Sequence, residues 1–430
     1  MNPQAQSLNE VIASKNQAVF DLLSERGKNI FFPKKGILAQ GAEAKGTRIN
    51  ATLGTAIEDD GTPMRLESIS SKIDIDPAKA FLYAPSFGRP DIRKRWQAMI
   101  AEKNPRLKGV TISMPIATNA LTHGISMAGY MLLDEGQEIL VPNLYWGNYN
   151  LALQNAYGAK IVTYNLFKND AMDIDSLSEA LLAEGDKKVM LLNFPNNPTG
   201  YSPTESEMKA LVEAIRNAGE KGKKIAVICD DAYFGLVYEK GVDLQSPFAY
   251  LADLHENVLA VKVDGPTKED YVWGFRVGFI TFAVKGGDAQ LYEALENKTA
   301  GAVRGNISNA SNLSQSLLVQ AFESPTYNAE KKAKLAIMQS RYNAVRNTLK
   351  DAKYAECFKP LPYNSGYFMC IKPADGIDAE QLRLLLIEKY SIGTININGL
   401  IRIAFSAVAE QDIKPMFDGI FDACKEVAGK

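Results

Sequence analysis

The sequence predicts an α/β fold: a large domain with a mainly parallel sheet flanked by helices, plus a smaller α+β domain built from both chain ends. Short β-branched apolar runs alternate with longer periodic segments from about residue 117 to residue 282, which is typical of such a sheet. After about Glu323, a long charged amphipathic stretch over residues 329–349 precedes short strands and helices. We expect residues 61–325 to form the large domain and residues 326–430 the small domain. Residues 1–60 are expected to be an amino-terminal segment that joins the small domain.

Six apolar segments of the central region are predicted as strands because they are short, rich in β-branched residues and bounded by turn residues. These segments are Glu138–Val141, Lys160–Tyr164, Val189–Phe194, Lys224–Cys229, Val258–Val263 and Val277–Phe282. Apolar residues recur at helical spacing from Leu121 to Leu132, after Thr118 and Asn119, whose polar side chains can cap a helix. A helix is therefore predicted to begin near Leu121.

Composition and charge exclude several classes of protein. The net charge of −2 gives no electrostatic reason to expect binding to nucleic acid or to an anionic membrane. The four cysteines form no C-x-x-C pair, and this disfavours a disulfide framework and a zinc knuckle. The amino terminus lacks the pattern of a secretory signal, and no apolar run approaches the roughly 20 residues of a membrane-spanning helix. We therefore expect a soluble cytoplasmic protein.

Histidine is too scarce for most metal-dependent or histidine-based chemistry. His123 and His255 are the only two in the sequence, which nearly excludes most catalytic zinc sites and histidine relays. No metal site is expected. The chemistry must depend on lysine, aspartate, tyrosine, arginine or a cofactor.

Polar residues stand next to four predicted strands, where an open α/β sheet binds its ligands. Asn197 follows the third strand, Asp230 and Tyr233 follow the fourth, Lys268 follows the fifth, and Arg276 precedes the sixth. Taken singly, each has an ordinary explanation. The segment at Asn197 could be a turn, Asp230 could cap a helix or belong to a weak magnesium site, and Lys268 could be an exposed lysine. Their order and spacing are more informative.

That order and spacing resemble the fold-type I pyridoxal-phosphate enzymes, specifically the aspartate and aromatic aminotransferase group of class I. The resemblance covers roughly Asn50 to Ala423. The matching motifs are N-P-T-G at 197–200, D-D-A-Y at 230–233, W-G-N at 146–148, and Lys268 followed by Arg276 and Gly278. The resemblance implies an aminotransferase that moves an amino group from a dicarboxylic or aromatic L-amino acid, or both, to a 2-oxo acid.

The resemblance also implies how the cofactor, pyridoxal 5′-phosphate, is held. Lys268 would carry it as a Schiff base and later act as a general base. Asp230 would face the pyridine nitrogen and favour its protonated form. Asn197 and Tyr233 would bond the 3′-oxygen, and Trp146 would lie over the ring. Lys268, Asp230 and Tyr233 are thus the predicted catalytic residues.

The phosphate would be held at the start of the helix near Leu121, where free N–H groups and the helix dipole favour an anion. The predicted phosphate contacts are Ala120, Leu121, Thr122, Thr267, Arg276 and, from a neighbouring subunit, Tyr83. The sequence departs from the family's S-x-S-K at Gly265, which removes one hydroxyl.

Two arginines would recognise the substrate. The resemblance implies that Arg402 binds the α-carboxylate and that Arg304 binds a distal carboxylate across the interface of a homodimer with shared active sites. Gly54 belongs to a segment that would fold over the substrate, and Asn197 and Trp146 would also contact it.

Two other functions use the same residues. A lyase or a decarboxylase of the same fold could share the lysine, aspartate, tyrosine and arginine set. A sensor that binds cofactor without turnover is disfavoured, because Lys268 is intact and no helix-turn-helix segment is recognisable ahead of the domain.

Overall fold

Helices and short strands alternate along the chain in the computed structural model, which describes residues 1–31 and 36–429. The strands are β1 Ile49–Asn50, β2 Ile116–Thr118, β3 Glu138–Pro142, β4 Lys160–Tyr164, β5 Phe167–Lys168, β6 Ala171–Met172, β7 Lys187–Asn193, β8 Lys224–Asp230, β9 Val258–Asp264, β10 Gly278–Ala283, β11 Phe358–Pro360, β12 Met369–Pro373, β13 Ile392–Gly393, β14 Ile395–Ile397 and β15 Leu400–Ile403.

The helices are α1 Pro3–Lys15, α2 Gln17–Leu22, α3 Glu25–Asn29, α4 Ile37–Glu43, α5 Glu67–Ser70, α6 Pro77–Ala80, α7 Pro90–Lys103, α8 Ala120–Leu132, α9 Ile174–Leu182, α10 Glu205–Glu220, α11 Pro247–Leu251, α12 Pro266–Glu269, α13 Ala289–Ile307, α14 Asn312–Phe322, α15 Tyr327–Thr348, α16 Ala379–Glu388 and α17 Glu410–Val427. A π-helix covers Asn150–Asn155, and 3₁₀ turns cover Pro105–Leu107, Trp273–Phe275, Ala352–Glu356 and Phe405–Ala407.

A seven-stranded sheet forms the centre of the larger part of the fold, in the order β2-β10-β9-β8-β7-β3-β4. Only β10 runs antiparallel to the other strands. Strands β7 to β10 are buried along almost their whole length, as expected for strands covered by helices on both faces. All six predicted strands occur, each within about two residues of its predicted bounds. The prediction of a mainly parallel sheet flanked by helices is confirmed.

Helix α8 begins one residue before the predicted start, but its cap differs from the prediction. Asn119 makes no side-chain cap; instead its backbone N–H donates to Nδ1 of His123 at 3.0 Å. Ala120, the first residue of α8, has a φ of 62°, so the chain turns sharply as it enters the helix. A Cβ on Gly278 would lie 2.7 Å from the carbonyl carbon of Ala120, so only glycine allows strand β10 to approach the start of α8 this closely. The first turn of α8 thus receives no hydrogen bond from the Asn119 side chain.

A second sheet lies in the carboxyl-terminal part, with antiparallel strands in the order β11-β12-β15-β14. Residues from near the amino terminus join this part: β1 pairs in parallel with β13, placing Ile49 opposite Ile392. The amide of Gln40 in α4 bonds both the backbone N–H and the backbone carbonyl of Asn396, at 2.7 and 3.0 Å. These contacts agree with the expected course of the chain, while the boundaries after residues 60 and 325 stay predictions.

Within the described ranges, none of the helices combines the length and apolar character needed to cross a membrane.

Candidate active site

A cavity of about 970 Å³ opens at the carboxyl ends of β7, β8 and β9. The predicted site residues that line it are Gly54, Leu121, Thr122, Trp146, Asn197, Asp230, Tyr233, Thr267, Lys268, Arg276 and Arg402. Ala120 lies directly behind Leu121 at the start of α8. The structure therefore brings together residues separated by more than 340 positions in the sequence.

Lys268 contributes the amine of the cavity. Its Nζ lies 5.1 Å from the centre of the Tyr233 ring, and its backbone carbonyl accepts a hydrogen bond from the Tyr367 hydroxyl at 2.9 Å. Removal of the amine from bulk water lowers the pKa of Lys268 to about 8; the Asp230 carboxylate opposes this shift and Arg276 adds to it. A larger share of the amine is therefore neutral, and nucleophilic, near neutral pH.

Asp230 and Asp231 point to different surroundings, as expected for consecutive residues at a strand end. Asp230 lines the cavity, whereas Asp231 forms a buried ion pair with Lys262 and accepts a hydrogen bond from Ser246 at 2.6 Å. Burial raises the pKa of Asp230, while a hydrogen bond from the Tyr149 hydroxyl and the charge of Lys268 counteract that rise. Asp230 is thus the carboxylate available to a ligand in the cavity.

Asn197 and Tyr233 form a polar pair on the wall of the cavity. The carboxamide oxygen of Asn197 accepts a hydrogen bond from Arg402 at 3.3 Å, and its backbone N–H donates to Asn193 at 2.8 Å. Tyr233 packs edge to face against Tyr367, with ring centres 5.3 Å apart. Burial raises the pKa of Tyr233, although Arg402 opposes the shift. The phenol therefore stays protonated and can donate a hydrogen bond.

Arg402 is a buried cation that forms no ion pair with the residues that the structure describes. Its Nη2 donates to the backbone carbonyl of Thr52 at 3.1 Å, and its guanidinium lies 4.3 Å from the centre of the Phe368 ring. Among the described residues its Nε has no hydrogen-bond partner, and the groups whose charge acts on it are Tyr233 and Cys370, not a carboxylate. Burial lowers the pKa of Arg402. Because a buried unpaired charge is costly, this guanidinium is suited to an anionic ligand.

Two further unsatisfied donors lie among the residues that line the cavity, and they fit a phosphate. The buried hydroxyl of Thr267 and the indole N–H of Trp273 have no hydrogen-bond partner within the part of the chain that is described. Arg276 is exposed and donates to the carbonyl of Trp273 at 3.2 Å. Together with Thr122 and the backbone N–H groups of the first turn of α8, these donors can hold a phosphate group.

Close packing around Gly265 accounts for the departure of this position from the family pattern. A Cβ at this position would lie 2.8 Å from Cα of Gly278 and 2.9 Å from the carbonyl oxygen of Val277. The backbone is packed too closely for a serine here. The missing hydroxyl is therefore excluded by the packing of this chain.

Several cavity residues were not predicted from the sequence. Phe31, Ile37 and Gln40 line the cavity from the amino-terminal part, and Ile397 lines it from β14. They carry no motif, and only the pairing of chain segments that are remote in sequence brings them to the site. Trp273 offered a weak signal, since it stands three residues before Arg276.

Tyr83 and Arg304 lie outside the cavity of their own chain. Tyr83 is 89% exposed, beside Phe81 and Leu82, which are also exposed. Arg304 is exposed near the end of α13, where it donates to the Ser308 hydroxyl at 3.0 Å. Their predicted roles require a second copy of the chain and stay predictions.

Comparison with known proteins shows the family of the chain. The family model for aminotransferase class I and II matches residues 65–420, which is most of the sequence. The chain belongs to this family. The resemblance seen in the sequence motifs is thereby confirmed.

Individual relatives agree with this membership. An aspartate aminotransferase of Geobacillus stearothermophilus is 24% identical over 283 residues, which span 65% of this chain and 65% of that protein. The crystal structure of an aminotransferase from Anaerococcus prevotii is 27% identical, has a TM-score of 0.82, and is matched over 93% of this chain and 98% of that one. The aspartate aminotransferase of Thermus thermophilus with maleate, 18% identical with a TM-score of 0.74 over 93% of this chain and 99% of that one, shares the fold. The predicted fold class is confirmed.

Proposed function

We propose that the chain is a pyridoxal-phosphate-dependent aminotransferase that moves an amino group from an L-amino acid to a 2-oxo acid. The observation that carries the proposal is the combination, in one cavity, of the Lys268 amine, the Asp230 carboxylate and the unpaired Arg402 guanidinium. The bound cofactor would supply the electron sink that stabilises negative charge developing at the substrate Cα. Family membership supports this reaction.

Each residue has a task that follows from its position. Arg402 would bind the carboxylate of the amino acid and orient its Cα, since a planar guanidinium pairs with a carboxylate through two parallel hydrogen bonds. Lys268, as a neutral amine, would remove the Cα proton and hold it on Nζ until it is returned. Asp230 would hold a positive charge at the pyridine nitrogen.

The remaining contacts would fix the cofactor in place. Tyr233 and Asn197 would donate hydrogen bonds to its 3′-oxygen, and Trp146 would cover its ring. Thr122, Thr267 and Arg276 would hold its phosphate, together with the backbone at Ala120 and Leu121.

The substrate is proposed to be a dicarboxylic or an aromatic amino acid. Relatives and structural neighbours named aspartate aminotransferase support the first, and a neighbour named aromatic amino acid aminotransferase, from Burkholderia cenocepacia, supports the second. We further propose a homodimer in which Tyr83 and Arg304 reach the cavity of the partner. The exposed run Phe81, Leu82 and Tyr83 supports this, because a contiguous apolar surface favours association.

Single-substrate incubation tests the proposal. The purified protein with bound cofactor is mixed with one amino acid at a time, without a 2-oxo acid, while absorbance and 2-oxo acid formation are followed. We expect one equivalent of 2-oxo acid per cofactor, together with conversion of the cofactor to its amine form. Continued turnover without a 2-oxo acid would instead identify a lyase or a decarboxylase, and no spectral change with any amino acid would refute the enzyme assignment.

A further inference from the structure

Tyr149 makes the shortest hydrogen bond to the cavity carboxylate. Its hydroxyl donates to Oδ2 of Asp230 at 2.5 Å. Among the described residues, a second hydrogen bond to this carboxylate comes from the backbone N–H of Ala232, which donates to Oδ1 at 3.2 Å. Tyr149 is fully buried, at 0% exposure, and it does not line the cavity. Its hydroxyl can therefore act on a ligand in the cavity through Asp230.

The local backbone explains how Tyr149 reaches this position. Its N–H donates to the carbonyl of Trp146 at 3.0 Å, closing a turn, and the two rings pack edge to face with centres 5.6 Å apart. The π-helix Asn150–Asn155 follows directly. Such helices are rare and occur frequently at functional sites. One turn thus supplies both the ring predicted to cover the cofactor and the donor to Asp230.

The hydrogen bond counteracts the effect of burial on Asp230. Removal from water raises the pKa of Asp230, which favours the neutral acid. A neutral acid would form an uncharged hydrogen bond to a pyridine nitrogen, whereas a carboxylate forms a stronger, charge-assisted hydrogen bond to the protonated ring. Burial and the adjacent carboxylate raise the pKa of Tyr149 well above its usual range, so the phenol remains a donor.

We propose that Tyr149 is a positioning residue that keeps Asp230 ionised and directed at the pyridine nitrogen, and thereby sets the protonation of the bound cofactor. This inference rests on the proposed cofactor. It assigns a role in cofactor chemistry to a residue that touches neither cofactor nor substrate.

The test compares two ligands that differ at a single ring atom. Cofactor-free protein is titrated with pyridoxal phosphate and with its 1-deaza analogue, in which carbon replaces the ring nitrogen, and both dissociation constants are measured. The dissociation constant of the 1-deaza analogue divided by that of pyridoxal phosphate gives a ratio that reports the interaction of Asp230 with the nitrogen. We expect Tyr149→Phe to reduce this ratio about tenfold, the difference between a charge-assisted and a neutral hydrogen bond.

The matched control is Tyr164→Phe. Tyr164 is also buried, but its hydroxyl has no hydrogen-bond partner within the described residues, so its removal should leave the ratio unchanged. A ratio that Tyr149→Phe leaves unchanged, even with both affinities reduced, overturns the inference because it shows a purely structural role. Failure of the wild-type protein to bind pyridoxal phosphate would instead refute the proposed function.

A second variant covers the case in which Tyr149→Phe does not fold. Tyr149→His keeps a ring N–H donor, so a folded His variant should retain the wild-type ratio. The nitrogen-15 resonance of ring-labelled cofactor bound to this variant should remain that of a protonated nitrogen. A folded His variant with an unprotonated ring and a lost preference overturns the inference.

Discussion

Replacing each of the two adjacent aspartates by asparagine should separate function from stability. Asp230 lines the cavity, so Asp230→Asn should impair transamination. Asp231 holds Lys262 and Ser246 inside the protein, away from the cavity, so Asp231→Asn should impair folding. The two changes are chemically identical and lie one residue apart, so each is the control for the other.

The contacts of each carboxylate give the expected magnitudes. Asp231→Asn leaves the Lys262 ammonium with the Asp264 carboxylate at 3.5 Å as its remaining ion pair. Breaking a buried pair costs about 3–5 kcal/mol, and the retained amide oxygen places the loss of unfolding free energy near about 3 kcal/mol. Asp230 instead accepts hydrogen bonds from the Tyr149 hydroxyl and the Ala232 N–H, and the amide oxygen of asparagine can still accept such bonds, so Asp230→Asn should destabilise the cofactor-free protein little. Its activity should fall roughly 150-fold, the equivalent of about 3 kcal/mol for a lost charge-assisted interaction.

Denaturant unfolding of the cofactor-free variants and steady-state kinetics of the folded enzymes measure both effects. We expect Asp231→Asn to unfold at lower denaturant and to keep most of its kcat once folded, and Asp230→Asn to show the reverse. Equal activity losses in the two variants would contradict the assignment of Asp230. So would a large loss of stability in Asp230→Asn alone.

Three further predictions concern the lysine and the two arginines. Lys268→Ala should keep the cofactor through the remaining contacts but lose transamination. Borohydride reduction and peptide mapping of the wild type should label Lys268, and a label on another lysine would contradict the assignment of Lys268. Because the pKa of Lys268 is about 8, the rate of cofactor uptake by the cofactor-free protein should rise with pH, with its midpoint near pH 8, and level off at higher pH. Asp230→Asn should move that midpoint down, since the carboxylate raises the pKa; an unmoved midpoint would show that the two groups do not interact. Arg402→Leu should lower kcat/KM for dicarboxylic and aromatic amino acids alike, whereas Arg304→Leu should lower it only for dicarboxylic ones, by about 3–5 kcal/mol, and unchanged dicarboxylate turnover would refute the role of Arg304.

The sheet and the cofactor side of the cavity could be predicted from the sequence because their signals are local. Each strand is a short β-branched run, and the polar residue beside it lies at the sheet edge once the strands align. Asn197, Asp230 and Lys268 therefore lie in the cavity as their positions indicated. The possible cap by the Asn119 side chain does not form: this side chain makes no cap hydrogen bond, and the contact at the helix start is the backbone N–H of Asn119 donating to His123. A local pattern shows that a side chain can cap a helix, but not whether the folded backbone places it to do so.

The remaining parts depend on packing that no sequence pattern carries. Tyr149 was not predicted, because its partner Asp230 is 81 residues away in the sequence. Phe31 and Ile37 reach the cavity only because the amino-terminal part of the chain folds against the carboxyl-terminal part. The roles of Tyr83 and Arg304 depend on another copy of the chain. The cytoplasmic location also stays a prediction.

The cavity is lined by two groups of residues that come from different parts of the sequence. The proposed cofactor contacts within one chain lie between residues 120 and 276, whereas Ile37, Gly54, Ile397 and Arg402 come from segments far outside that range. Changes within 36–54 or 396–401 can therefore alter which amino acid is accepted while the cofactor contacts stay intact. Directed evolution for a new donor should concentrate its libraries on these outer segments. Natural divergence can follow the same route, so that a lineage acquires new substrates while it inherits its reaction chemistry unchanged.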